Sequence, residues 1–204
     1  MRMAFFFDQS RCMACNACTV ACKDYYDVNP GWARYRKQTT TYQNDGQGFF
    51  YTLVMSCNHC QDPACLASCG AGAIIKRADG IVYIDRKKCQ SLKSCIDACP
   101  FNEPCIADDR QEPNKNDKWI TAHPMQKCNM CKELLDKGEQ PVCVRACPMR
   151  AIEVGDYDEL MRTHDGAEQM NFSKFPYAYV NSQADTNPSL IIKPRKKLVI
   201  DGSI

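Results

Sequence analysis

Of the 204 residues, 45% are hydrophobic, yet 16 of that class are cysteines, and without them about 37% remains, below the ~45–50% of an ordinary globular domain. Something besides side-chain packing must hold the interior, and cysteine at about 8% reads either as a disulfide scaffold or as metal ligation. A formal charge of +2 gives no basic excess for nucleic-acid binding, and no apolar run approaches the ~18 residues of a membrane span.

In chain order, Ala4-Phe5-Phe6-Phe7-Asp8 is predicted to be a strand entering a first loop, its apolar run too short for a secretory leader. From Ala14 to Asp24 a loop closing as a short helix puts Cys18 and Cys22 a turn apart on one face. Asp79-Gly80 is a turn signal, and Ile81-Val82-Tyr83-Ile84-Asp85 a second strand, counterpart of the first. Pro104 to Pro124 is polar, contains Pro113-Asn114-Lys115-Asn116-Asp117, and reads as a loop. A short helix is predicted over Asp156 to Arg162. Beyond Phe172 the tail is extended and proline-punctuated, with a basic run Lys193-Pro194-Arg195-Lys196-Lys197 that suits solvent or a docking partner. The chain is expected to be soluble, touching a membrane only through a partner.

The cysteines fall into four groups. Cys12, Cys15, Cys18 and Cys22 are spaced C-x2-C-x2-C-x3-C, and Cys57, Cys60, Cys65 and Cys69 are spaced C-x2-C-x4-C-x3-C. Cys89, Cys95 and Cys99 end in Cys99-Pro100; Cys128, Cys131, Cys143 and Cys147 end in Cys147-Pro148. Thiols three apart in tight loops face one centre, which suits a shared metal group better than long-range disulfides. Zinc could use paired C-x2-C motifs, but the first group resists division into tetrahedral sites. It is the bacterial ferredoxin run, in which the fourth cysteine serves a second cluster.

With these residues in place the sequence resembles the four-cluster electron-transfer (B) subunit of the dimethyl sulfoxide reductase family of molybdenum enzymes. The likeness rests on Phe6-Phe7-Asp8 leading to Cys12, on Cys57-Asn58-His59-Cys60-Gln61-Asp62-Pro63-Ala64-Cys65 and on Asp79-Gly80-Ile81-Val82-Tyr83-Ile84-Asp85 before Cys89. It continues through Lys127-Cys128-Asn129-Met130-Cys131, Pro141-Val142-Cys143-Val144-Arg145-Ala146-Cys147-Pro148, Asn187-Pro188 and Ile191-Ile192-Lys193-Pro194. The resemblance implies an α+β fold of two nested bacterial-ferredoxin-like lobes, each around two clusters. Residues 1–49 begin the first lobe, 50–105 form the inserted second, and 106–204 supply the rest of the first, an insertion loop and an extended docking tail. Ferredoxin logic then divides the ligands. One [4Fe–4S] cluster takes Cys12, Cys15, Cys18 and Cys147; a second takes Cys22, Cys128, Cys131 and Cys143; a third takes Cys57, Cys60, Cys65 and Cys99. The fourth has Cys69, Cys89 and Cys95, with Leu92 where the family pattern places a thiol. Fifteen cysteines are then used and Cys105 is left over. A [3Fe–4S] cluster on the three thiols is expected; a fourth [4Fe–4S] completed by Cys105 is one alternative, and loss of the cluster or an iron ligated by water or serine another, with Cys105 otherwise a small buried hydrophobe or a bystander thiol. Gly70 after Cys69, where Cys99 and Cys147 precede proline, is expected to alter only the local turn.

The resemblance further implies a non-catalytic wire. A molybdenum–bis(guanine dinucleotide) catalytic subunit is expected beyond the Cys12/Cys147 cluster, and a membrane quinone-reactive anchor subunit beyond the Leu92 end, with the complex cytoplasmic or exported with a partner. Competing readings are a polyferredoxin-type subunit of a formate dehydrogenase or hydrogenase, and a zinc-built interaction module. His59 is expected to orient its loop by a hydrogen bond rather than to ligate. Lys23, Lys127, Lys132 and Arg145 adjoin cysteines and would tune cluster charge or simply face solvent.

Overall fold

The protein is seen here as a computed structural model, which describes residues 1–28, 35–43, 49–106, 119–175, 180–182 and 184–196. The Pro113–Asp117 stretch of the expected loop and Lys197 of the basic run lie outside the described residues. In chain order the elements are β1 (Met3–Asp8), α1 (Ala17–Tyr25), β2 (Arg36–Gln43), β3 (Phe49–Ser56), α2 (Ala64–Ala67), β4 (Ile74–Lys76), β5 (Val82–Ile84) and α3 (Ser94–Ala98). They continue as β6 (Cys105–Ile106), β7 (Met125–Gln126), α4 (Lys132–Leu135), α5 (Val142–Arg145), β8 (Ile152–Asp156), α6 (Tyr157–Thr163), β9 (Glu168–Gln169) and β10 (Leu190–Lys193). The class is α+β, as expected.

The apolar run of β1 is buried on both faces because a core lies on each side of the sheet, and the strand is also paired on both edges. It pairs antiparallel with β8 and parallel with β10, within the order β8-β1-β10-β9. Side chains alternate across a strand. Phe5 and Phe7, with Leu190 and Ile192 of β10, face the large core that contains Cys18, Cys22 and Cys143; Ala4, Phe6 and Ile191 face Leu160 of α6. Asp156 caps α6, accepting from the N–H groups of Asp158 (3.1 Å) and Glu159 (3.3 Å). The tail therefore departs from the expected docking role over its last strand: Leu190, Ile191 and Ile192 are buried in the centre of the sheet.

The second set of elements is smaller. Hairpin β4–β5 turns at Asp79-Gly80, where Gly80 has φ +87°, and its second strand covers only Val82–Ile84 of the predicted run. Helix α2 packs on α3, as α1 packs on α5. The long hairpin β2–β3 carries buried Leu53, Val54 and Met55 and delivers Arg36 into the core opposite Ser56. The expected lobe boundaries at 49/50 and 105/106 fall within β3 and β6, so each is crossed by a strand ladder. Residues 186–189 then run beside the loop after Cys57. Gln61 N–H donates to the Asn187 carbonyl (2.8 Å), Asp62 N–H to that of Thr186 (3.1 Å), and Ser189 N–H to that of Asn58 (2.8 Å). That strap ties the second set of elements to the central sheet.

Candidate metal centres

Four helices start in the same way. Cys18 in α1, Cys65 in α2, Cys95 in α3 and Cys143 in α5 each stand at the second helical residue, and each is followed four residues later by Cys22, Cys69, Cys99 or Cys147. In α1, which contains both, that spacing puts the thiols on one face; the other three helices end before the second thiol. After Cys69 and Cys147 the chain makes one turn twice. Gly72 (φ +60°) and Arg150 (φ +51°) donate to the Cys69 and Cys147 carbonyls at 3.0 and 3.2 Å, and Ala73 and Ala151 donate N–H to the two sulfurs at 3.3 Å each. Gly70 in place of proline leaves that turn intact.

The cysteine loops repeat as well. Two residues beyond Cys12, Cys57, Cys89 and Cys128 come Ala14, His59, Ser91 and Met130, all left-handed, with φ of 59°, 42°, 53° and 59°. Asn16 (60°) and Lys93 (65°) then cap α1 and α3 in the same conformation. Cys89 to Cys95 thus follows the course of Cys12 to Cys18, and Leu92 occupies the place of Cys15. Leu92 is 59% exposed and leans over Gly70, its Cδ1 4.0 Å from where a β-carbon there would sit.

Three hollows of similar size open among the thiols. One is lined by Cys12, Cys15, Cys18 and Cys147, one by Cys57, Cys60, Cys65 and Cys99, and one by Cys69, Cys89, Cys95 and Leu92. The remaining four thiols form a set electrostatically: burial, then Cys128, Cys143 and Cys131, push the Cys22 thiol up. Cys105 does not line the Leu92 hollow. It pairs with Gln126 while Ile106 pairs with Met125, and alternation turns Ile106 and Met125 toward the core that contains Cys89 and Cys95 but Cys105 into the larger core.

The donor chemistry fits iron–sulfur clusters. Burial pushes the Cys65 and Cys95 thiols up to about 11, and Cys99 and Cys128 up to about 12, so their thiolates need nearby positive charge. Donors are aimed at sulfur: Met125 N–H at Cys89 (3.2 Å), Met130 N–H at Cys128 (3.3 Å), Thr186 Oγ1 at Cys60 (3.1 Å), Arg36 at Cys143 (3.3 Å) and Lys127 at Cys57 (3.1 Å). Such bonds are levers on cluster potential. Among the described residues, no three His, Cys, Asp or Glu side chains converge on a single-ion position. Thiols that gather in fours without converging on one ion position suit a cube whose irons each take one sulfur.

The groups also stand in a row. Besides burial, Cys18 raises the Cys143 thiol, Cys57 raises that of Cys128, and Cys95 raises that of Cys65. Neighbours therefore run from the Cys12 group to the Cys22 group, then to the Cys57 group and the Cys69 group. Apolar side chains are exposed at both ends: Met13 (59%) and Met149 (45%) at the first hollow, Leu92 at the last.

Of the residues adjoining cysteines, Lys127 is buried against sulfur, whereas Lys132 pairs with Glu133 and Arg145 with Glu139 on the surface. His59 orients its loop as expected: its Nδ1 accepts from Val82 N–H at 3.0 Å, and burial with Lys127 and Arg36 nearby holds its pKa well below normal. Neither Arg36 nor Thr186 was expected at the site from sequence. Both lie far along the chain from the sulfurs they reach, and no local pattern marks them.

Known proteins of similar sequence agree with this chemistry. A family model described as a 4Fe-4S dicluster domain matches residues 49–157. The sequence is 36% identical over 198 residues to the B subunit of anaerobic dimethyl sulfoxide reductase from Escherichia coli (strain K12), covering 93% of this protein and 87% of that one. It is 34% identical over 155 residues to the thiosulfate reductase electron transfer subunit PhsB of Salmonella typhi, covering 74% of each. It is also 33% identical over 178 residues to the iron-sulfur subunit of the nitrate-inducible formate dehydrogenase of Escherichia coli (strain K12), covering 78% of this protein and 56% of that one. Rows of buried thiols, donors aimed at sulfur and this degree of identity lead to one conclusion: the protein belongs to the iron–sulfur B subunits of the dimethyl sulfoxide reductase family, non-catalytic electron-transfer subunits of molybdenum oxidoreductases.

Proposed function

We propose that the protein relays single electrons through four clusters, between a molybdenum–bis(guanine dinucleotide) catalytic subunit and a membrane-bound quinone-reactive subunit that holds the complex at the membrane. The ligand sets are Cys12, Cys15, Cys18 and Cys147; Cys22, Cys128, Cys131 and Cys143; Cys57, Cys60, Cys65 and Cys99; and Cys69, Cys89 and Cys95. The first three sets hold [4Fe–4S] clusters and the last a [3Fe–4S] cluster. The observation that carries this reading is the thiols gathered around shared hollows, with N–H, hydroxyl and cationic donors aimed at their sulfurs. Each cluster, when bound, supplies a one-electron change. The polypeptide holds each group of thiols fixed, excludes water from the inner ones and aims N–H and cationic donors at them. Exposed Met13 and Met149 at one end, and Leu92 at the other, suit contact with two different partners. Leu92 offers no donor atom at the position equivalent to Cys15, and Cys105 faces the other way, which favours three irons over four at that end.

Iron and acid-labile sulfide, measured with EPR on the anaerobically purified protein and whatever accompanies it, test this. About fifteen irons per polypeptide are expected, with molybdenum in the co-purifying subunit. Leu92→Cys should add one iron and remove the oxidised-state signal of a three-iron centre. An unchanged spectrum in that variant would refute the three-iron assignment, and a colourless zinc protein would refute the whole reading.

A further inference from the structure

Two of the three steps along the row lie within a pair of packed helices: the Cys18–Cys143 step at α1 and α5, and the Cys65–Cys95 step at α2 and α3. The middle step, from Cys128 to Cys57, joins the two halves of the molecule. Lys127 sits there. Its ammonium is buried and donates to Cys57 Sγ at 3.1 Å, to the Cys128 carbonyl at 3.1 Å and to the Val82 carbonyl. Among the described residues no carboxylate forms an ion pair with it. Glu103, on the wall of the same hollow, is 3.8 Å from Lys37. An ammonium taken out of water costs several kcal/mol unless negative charge offsets it. Two main-chain carbonyls supply partial charge; the thiolate supplies a full one.

We infer that Lys127 is the shared cation of the two inner clusters, setting both potentials and easing the electron's crossing between the halves of the subunit. This rests on the ligand assignment proposed above. Reduction adds negative charge, and a fixed cation beside the site stabilises the reduced form more than the oxidised one, so the potential rises. Placed between two neighbours, one ammonium acts on both at once. It also screens the repulsion that an electron on one exerts on the other. Of its three contacts, Cys57 and the main chain of Cys128 belong one to each ligand set, so its effect should be confined to those two clusters.

The test compares Lys127→Met, which removes charge and donor, Lys127→Gln, which keeps a donor, and Lys127→Arg, which keeps the charge. All are made in the full-length protein with its co-purifying partners. Iron content of the unaltered protein reads the cluster assignment by itself, and EPR-monitored redox titration reads Lys127. Both uncharged variants should move two midpoints in the negative direction and leave two in place, with the arginine variant near the unaltered values. Four unchanged midpoints at full iron content, one shifted midpoint, or a glutamine variant indistinguishable from lysine would overturn the inference. Should the uncharged variants bind less iron, the inference requires a loss of two clusters with arginine intact. Loss of a single cluster or of all four would count against it.

Discussion

At the residue scale, what distinguishes the four sites is the donor each sulfur receives. Cys69, Cys89, Cys128 and Cys147 accept from main-chain N–H groups, which any sequence with that backbone would provide. Cys57, Cys60 and Cys143 accept from side chains, Lys127, Thr186 and Arg36, and these are open to substitution. Arg36 also stacks its guanidinium 5.0 Å over the Phe5 ring, so burial of its charge is offset by sulfur and an aromatic face together. Thr186 is the simplest test. Thr186→Val keeps the shape and deletes the hydroxyl donor to Cys60, which should cost about 0.5–1.5 kcal/mol. The variant's visible absorbance should fade faster in urea, and the midpoint of the Cys57 group should fall while the other three hold. Equal fading rates and midpoints would show that the 3.1 Å contact has no energetic consequence.

At the scale of elements, helices of four or five residues such as α2, α3, α4 and α5 cannot persist alone, because nucleation is unfavourable and few hydrogen bonds follow it. They hold because each is pinned at its start by a cysteine, and α2 packs on α3 and α5 on α1. The turns between them depend on left-handed residues, and the matched turns after Cys69 and Cys147 use two different solutions, glycine at 72 and arginine at 150. A β-carbon at Gly72 would meet nothing within 4 Å, so the cost of Gly72→Ala is conformational, about 1–2 kcal/mol. Arg150→Gly should do the reverse and stabilise by up to about 1 kcal/mol, because the exposed arginine already occupies that conformation. The rate of cluster loss in urea should rise in the first variant and fall in the second.

Across the whole molecule, the two ends of the polypeptide meet in one sheet, with β10 lying parallel to β1. Parallel neighbours require a long connection, and here it contains both sets of cysteine loops. The residues just before β10 hold the Cys57 loop: Ser189 Oγ donates to the His59 carbonyl at 2.9 Å, and Asn187 accepts from Gln61. A protein ending at Pro188 would leave one edge of β1 unpaired and uncover Phe5 and Phe7, besides removing both Ser189 contacts to that loop. It should yield little soluble iron protein, with both halves affected; a soluble product retaining full iron would contradict this role for the strap. The Arg77–Asp136 pair (2.7 and 3.0 Å) also links the halves, but it is exposed and screened by salt, so it is a weaker tie than buried Lys127.

How much was legible follows from how local each constraint is. The cysteine groups, the first strand and the helix starting near Asp156 could be read directly, because each is specified by residues within a few positions of one another. The pairing of distant groups and the missing thiol at Leu92 were expectations from resemblance, since ferredoxin runs exchange their last cysteine. Tertiary structure alone decided which way Cys105 faces, because two-residue strands alternate and a shift of one position reverses the answer. It alone decided that Leu190–Ile192 is a core strand and not a loose tail, and that Arg36, Thr186 and Lys127 reach sulfur, for those contacts bridge 70 to 126 positions in the case of Lys127 and Thr186. Thiol spacing specifies what is bound; the packing of remote segments specifies the electric field in which it is held.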